Sequence, residues 1–322
     1  MAQLNFSDFE SSFKKKVTRR EQFLLEMETV VPWNELVEII RPFYPLGKTG
    51  RPPMPLVKML KVYFMQQWFG LSDPGMEEAL YDMESIRRFA GFQLNEDAIP
   101  DESTILLFRH LLEKHDLTEK IFHAVTALLE SKGLMLKRGT IVDATIIHAP
   151  SSTKNIKGER DPEMRSTKTG NQWYFGMKAH VGVDTKYGIV HTMICTAANT
   201  HDSAVMDELL HGKEARIYGD KAYVGEERKQ QYAERGVAWR IHNKAGRGQK
   251  LTEHEELQNQ RRSRVRSLVE HPFGVVKNTW GHRKVRYRGI YKNQCQFFSL
   301  FALSNLYMMR HFLLPVKAPS AG

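Results

Sequence analysis

Two cysteines, Cys195 and Cys295, are all that the 322 residues contain. That is too few for a disulfide framework, and a chain this long buries a full core without one. The scarcity favours a reducing cytoplasm over a secreted setting, with both thiols as plain core residues. The basic-then-apolar opening of an export signal is also missing, since Met1 to Glu10 is polar and acidic. Long apolar runs are absent too. The nearest candidate, Phe297 to Leu314, is broken by Ser299, Ser304, Asn305, Arg310 and His311. Those side chains are costly in hydrocarbon, so a buried amphipathic helix is expected and no membrane partner. No internal repeat and no low-complexity segment is visible.

Positive charge is abundant. Lys and Arg number 47 against 37 Asp and Glu, a formal net charge of +10, which favours a polyanionic partner. Its distribution is more telling. Between Arg261 and Arg288 the chain carries Arg261, Arg262, Arg264, Arg266, Lys277, Arg283, Lys284, Arg286 and Arg288, with Glu270 as the only acid.

The first third reads as helical. Helices are expected over Pro32 to Phe43 and Pro55 to Phe69, joined by the Pro-rich Arg51-Pro-Pro-Met-Pro. Ser72-Asp-Pro opens another, Asp101 precedes Ile105 to Leu112, and Asp116-Leu-Thr-Glu119 has capping-box form. From Gly139 the pattern changes to β-rich runs: Thr140 to Ile147, Trp173 to Val183, Ile189 to Thr196, Ala215 to Tyr218 and Val237 to Ile241. Between them lie a polar segment, Ser151 to Asn171, a turn at Asp184 to Gly188, and helices expected over Asp202 to Leu210 and Glu226 to Arg235. A second, mixed α/β domain therefore begins near residue 137.

Three carboxylates stand out. Asp143 sits mid-strand among Ile141, Val142, Ile146 and Ile147, where an unpaired charge would cost several kcal/mol, so it needs a cation or several donors. A solvent-facing Asp on an edge strand is the alternative. Asp220 follows a strand and Gly219, which permits close approach of backbone or ligand; an ordinary Asx turn or helix cap is its alternative. With Arg261 to Trp280 as a regular helix, Val265, Val269, Phe273, Val276 and Trp280 fill one arc of about 80° that packs on the sheet. Ser263, Arg266, Glu270 and Lys277 then share an adjacent arc of about 60°. Arg266 and Glu270 could equally form a routine i,i+4 ion pair, and Pro272 disturbs either reading. Three carboxylates on separate elements, with no cysteine cluster and no histidine pair at zinc spacing, suit a hard cation such as Mg²⁺ or Mn²⁺ and phosphoryl transfer with two ions.

These segments resemble insertion-sequence family five, within the DDE transposases of ribonuclease-H-like fold, over nearly the whole chain. The resemblance rests on Val142-Asp-Ala-Thr-Ile-Ile, Ala149-Pro-Ser-Ser-Thr-Lys-Asn155, Gly176-Met-Lys-Ala-His-Val-Gly-Val-Asp184, Ala197-Ala-Asn-Thr-His-Asp202, Gly219-Asp-Lys-Ala-Tyr223 and Arg266-Ser-Leu-Val-Glu-His-Pro-Phe273. It implies Asp143, Asp220 and Glu270 as catalytic metal ligands. The family signature around the glutamate matches at Arg266, Glu270 and Lys277, but Ser263 stands where the family has tyrosine.

By the same resemblance, residues 137–292 form the α/β catalytic domain, a mixed sheet flanked by helices. An N-terminal segment, 1–30, and an all-α domain, 31–136, precede it, the latter recognising terminal inverted repeats. A C-terminal helix over 293–322 packs on the catalytic domain. Asp101 to His115 is the candidate recognition helix, offering Ser103, Thr104, Arg109 and His110, and a structural helix is the alternative. Lys178 and His180 resemble family positions near the site, although a solvent-exposed strand pair would look the same. DNA contacts are expected from Arg266, Lys277, Lys178, His180, Arg264, Arg283, Lys284 and Arg109. Trp239 fits a base-stacking wedge or, alternating with Val237 and Ile241, the core. Partners implied are double-stranded DNA, both element ends and target, and a homodimer or larger assembly on it. A nuclease that cuts without joining and a silent DNA-binding descendant are the rival readings.

Overall fold

The computed structural model describes residues 15–47, 52–154, 156 and 158–315. The acidic opening Met1 to Glu10, Arg51 of the Pro-rich join and Asn155 of the family motif lie outside them. The chain divides into two compact units, residues 1–117 with 309–322, and residues 118–308. The division falls ahead of the sequence-drawn boundary near 137, so helix Leu117–Ser131 lies almost wholly in the second unit, and the end of the C-terminal helix belongs to the first.

The first unit is helical: α1 Arg19–Val30, α2 Trp33–Ile40, α3 Leu56–Phe69, α4 Asp73–Asp82, α5 Glu84–Ala90 and α6 Glu102–Lys114. Local sequence dictates the starts. Ser72 accepts from Gly75 N with Pro74 in the first turn, and Asp101 accepts from Thr104 N at 2.7 Å. Leu36, Ile40, Leu60, Phe64, Met76, Leu80 and Ile86 are fully buried, and Trp33, Phe64, Trp68 and Phe89 meet ring to ring. Arg109, expected at DNA, is 6% exposed and donates to Asp73 at 3.1 Å and Glu113 at 3.0 Å. A guanidinium so enclosed ties α6 to the start of α4 and does not present itself to a phosphate. Ser103 and His110 do lie exposed on the same helix.

The second unit begins with α7, Leu117–Ser131. Asp116 precedes it at φ 52°, not in the extended conformation of a capping-box residue. A six-stranded sheet follows, with β1 Gly139–His148, β2 Arg165–Thr169, β3 Gln172–Asp184, β4 Val190–Ala197, β5 Arg216–Gly219 and β6 Ala238–Ile241. β3 pairs antiparallel with β1, β2 and β4, whereas β5 runs parallel to both β1 and β6. The β5–β6 crossover is α8, Glu226–Glu234, as parallel neighbours require. β2 falls in the segment read as irregular; it is polar and exposed, so no apolar alternation marks it. The helix expected over Asp202 to Leu210 is instead two 3-10 turns, Asp202–Val205 and Asp207–Leu209, the first capped by the His201 ring accepting from Ser203 N.

The basic stretch is not one regular helix. α9, Glu253–Arg266, passes through a 3-10 turn, Ser267–Val269, into α10, Glu270–Gly274, and then a π segment, Val275–Thr279. Pro272 supplies a reason, because it has no N–H for the Leu268 carbonyl and its ring crowds that group. The same carbonyl lies where a Cβ on Gly188 would come within 2.9 Å, and Gly188 has φ +73°, so the turn after β3 closes on this break. Val269, Phe273, Val276 and Trp280 are buried as expected, and Phe273 and Trp280 meet Phe301 and Tyr307 of the last helix.

That last helix, α11 Ile290–Leu313, explains the polar interruptions in its apolar run. Asn305, fully buried, accepts from Val190 N at 2.9 Å and donates to Val190 O at 2.7 Å, and Gln294 accepts from Cys195 N at 3.0 Å. Amide side chains thus satisfy backbone groups of β4. Both cysteines are buried thiols outside any disulfide, with burial raising the Cys195 pKa. No helix among the described residues is long and apolar enough to cross a membrane.

Candidate active site

Adjacent parallel strands bring two of the three carboxylates together. Ile141 of β1 lies opposite Tyr218 of β5, and the same register continued past Gly219 sets Asp143 beside Asp220. Gly219 is required there, because a Cβ would come within 2.8 Å of Ile241, 3.0 Å of Val142 and 3.1 Å of Tyr223. Asp220 caps a 3-10 turn, accepting from Ala222 N at 2.8 Å, so its turn role and its place beside Asp143 coexist. β1 is an interior strand between β3 and β5, which overturns the edge-strand reading of Asp143.

Asp143 is 14% exposed, accepting from Ala144 N at 2.9 Å and from Arg266 Nε at 3.2 Å. Burial pushes its pKa up to about 6; Arg266 and the Ala144 N–H pull it back, while the Asp220 charge pushes it further up. A half-buried carboxylate pair of like charge, with oxygen donors only, fits a hard divalent cation that would relieve the repulsion.

Arg266 therefore pairs with Asp143 and not with Glu270. Lys277 donates to Thr145 Oγ1 and Ile146 O, each at 2.7 Å, two to three residues along the same strand. Burial, and then Arg283, lower its pKa. Glu270, between them in sequence, is exposed and its side chain makes no hydrogen bond or ion pair among the described residues, although its charge acts on Lys277. The shared arc assumed a uniform 100° per residue. A 3-10 turn winds at about 120° per residue and a π turn more slowly, so Glu270 falls out of phase with its neighbours. No group of three His, Cys, Asp or Glu side chains among the described residues is arranged to enclose a metal ion.

Lys178 and His180 are opposite Ile146 and Ala144 in the β1–β3 register, on the other face of the sheet from Asp143. Lys178 donates to Asp202 Oδ1 and Thr200 O, both at 2.8 Å. His180 is fully buried, 2.8 Å from Thr196 Oγ1 and 3.8 Å from Asp202, and burial lowers its pKa to about 4. Neither is a solvent-exposed strand residue. Arg264, Arg283 and Lys284 are exposed, Arg283 donating to Lys277 O and Asn278. Trp239 stacks on Tyr232 at 5.8 Å against the core, which is the core alternative.

Two neighbours of the carboxylates were not singled out by sequence. His242 donates its backbone N–H to Gly219 O, and Arg266 and Asp220 both act on its ring, whose pKa burial lowers. It follows β6 as Asp220 follows β5, so the strand-end rule that selects Asp220 would have found it. Ser263, in the tyrosine position, lies 3.2 Å from His242 Nε2. Tyr223, 1% exposed, has its pKa raised by burial and by the charges of Asp143, Asp202 and Asp220. Asp202, held by Lys178 and His180, thus acts on Tyr223 as the pair does.

Residues 135–306 match the Transposase DDE domain, and residues 11–111 match a second transposase domain. The first match covers more than half of the chain and spans Asp143, Asp220 and Glu270, and it implies a DNA substrate with metal-dependent nuclease and transferase activity. The chain belongs to the DDE transposase family.

Proposed function

We propose that the chain is the transposase of an insertion sequence of family five, with a ribonuclease-H-like catalytic domain that cuts the element ends and joins the freed 3′ hydroxyl to target DNA. The observation that carries this reading is the pairing of Asp143, within β1, with Asp220, just past the end of the parallel strand β5, with Arg266 on Asp143. The sheet order supports it: β3 and β4 antiparallel beyond β1 on one side, β5 and β6 parallel on the other.

Asp143 and Asp220, joined by Glu270 as third ligand, would hold magnesium or manganese as two ions. When bound, such ions would supply activation of the attacking oxygen and stabilisation of the leaving one. Arg266 partly offsets the Asp143 charge and orients the carboxylate, and Lys277, Arg264, Arg283 and Lys284 receive the phosphate backbone. Lys178 and His180 brace Asp202 from the opposite face. The helical region reads the terminal inverted repeats, and two copies or more hold both ends together on nucleoid DNA in the cytoplasm.

A joining assay tests the reading. Labelled duplex carrying the element end, incubated with the protein, Mg²⁺ and a supercoiled target, is expected to yield target-linked label that EDTA abolishes. Cutting without joining would reduce the chain to a nuclease, and binding without either would reduce it to a DNA-binding descendant.

A further inference from the structure

A groove of about 570 Å³ opens where β1 ends, with Ala149, Pro150 and Ser152 on one side and residues 285–288 on the other. Its apolar surface comes from Ala149, Pro150, Val285 and Tyr287, and Arg160, Arg286 and Arg288 line it with guanidinium groups. Arg160 also lies over the Phe175 ring at 5.5 Å. Both walls are built. Asn293, fully buried, donates to Tyr287 O and Gly289 O at 2.7 Å and accepts from the N–H of Arg286 and Tyr287. Opposite, Asp161 accepts from Gly289 N at 2.6 Å and Glu163 from Ile290 N at 2.8 Å, so these two acids are engaged by the start of α11. Glu159, the other acid of the lining, has a partner of its own.

Basic residues are strung along β1 between the candidate active site and the groove. Arg266 contacts Asp143, Lys277 contacts Thr145 and Ile146, and Lys284 pairs backbone to backbone with His148, whose N–H donates to Arg283 O. The His148 pKa is lowered by burial and then by the charges of Lys277 and Lys284. Six residues of strand separate Asp143 from Ala149, roughly 20 Å at about 3.3 Å per residue. That is the rise of about six base pairs.

We infer that this groove receives one unpaired nucleotide of the bound DNA, at the far end of a phosphate track that begins at the carboxylates. The volume lies within the range of clefts that hold a small ligand, about 300–1,000 Å³, and is far too small for a duplex. Apolar walls with an aromatic ring suit the face of a base, and surrounding arginines suit the flanking phosphates. The inference rests on the DNA-end-binding reading above and adds a second recognition point to it.

The test compares a blunt element-end duplex with the same duplex carrying a short 3′ single-stranded extension. Binding of each to the full chain is measured by fluorescence anisotropy in EDTA, where no cutting occurs. The wild type is expected to bind the extended duplex about tenfold more tightly, the size of one base-stacking contact. Tyr287→Ala, and Ser152→Trp, which fills the groove from an exposed position, should erase that preference and leave blunt-duplex affinity within about twofold. Equal wild-type affinity for the two DNAs, a preference that survives Ser152→Trp, or equal loss of both DNAs in that variant would overturn the inference. The joining assay is independent of these outcomes, so it can succeed while the groove fails.

Discussion

At the scale of single residues, Asp143 holds the most unfavourable charge of the candidate site. Its pKa near 6 lies above the ordinary value of 3.8 because burial outweighs Arg266. Between about pH 4 and 6 the folded chain keeps a proton that the unfolded chain releases, so stability falls as pH rises through that window. Above it the ionised carboxylate costs roughly 3 kcal/mol. Asp143→Asn, resembling the protonated form, should therefore melt several degrees higher than the wild type at pH 7.5 without metal, and the two should converge near pH 4. Magnesium should raise the melting temperature of the wild type alone. A variant that melts at or below the wild type at pH 7.5 would remove the strained carboxylate from the account. Asp143 was legible in sequence because an ionisable group among Ile141, Val142, Ile146 and Ile147 has few physical explanations. Arg109 is the opposite case: Glu113, four residues on, is a partner visible in sequence, but Asp73 is distant, and nothing local reveals that the guanidinium is enclosed between them.

At the scale of elements, apolar periodicity revealed β1, β3, β4, β5 and β6, whereas β2 escaped because its residues face solvent on both sides. The Arg261 to Trp280 stretch was legible as helical but not in its winding. The consequence of Pro272 extends over the 3-10 and π turns that flank it, and those turns decide where Glu270 points. Sequence likewise showed that Asn305 interrupts an apolar helix without showing what it serves. Its side chain satisfies both backbone groups of Val190. Asn305→Ala would leave a buried N–H and a buried carbonyl without partners, a loss of about 2–4 kcal/mol. Equilibrium urea unfolding should report it as a lower midpoint with an unchanged slope, and an unshifted midpoint would show that the Asn305 clamp is dispensable.

For the whole molecule, the net charge of +10 and the cation line along β1 make DNA binding mainly an exchange of counterions. If six or more phosphates are neutralised, the logarithm of affinity should fall against the logarithm of salt with a slope steeper than about −5. A slope near zero would indicate a different kind of partner. The Transposase DDE domain match fixes the class of reaction, and Asp143 and Asp220 stand together in the structure, but Glu270 is exposed between Arg266 and Lys277. The most direct measurement is the single-turnover cutting rate of pre-bound element-end DNA in Mg²⁺ for the wild type, Asp143→Asn, Asp220→Asn and Glu270→Gln. Each variant is predicted to bind the DNA normally and cut it at least about a thousandfold more slowly, equivalent to roughly 4 kcal/mol of lost transition-state stabilisation. Cutting at the wild-type rate by any of the three would contradict the assignment of that carboxylate, and by Glu270→Gln it would show that the exposed position of Glu270 is its working one.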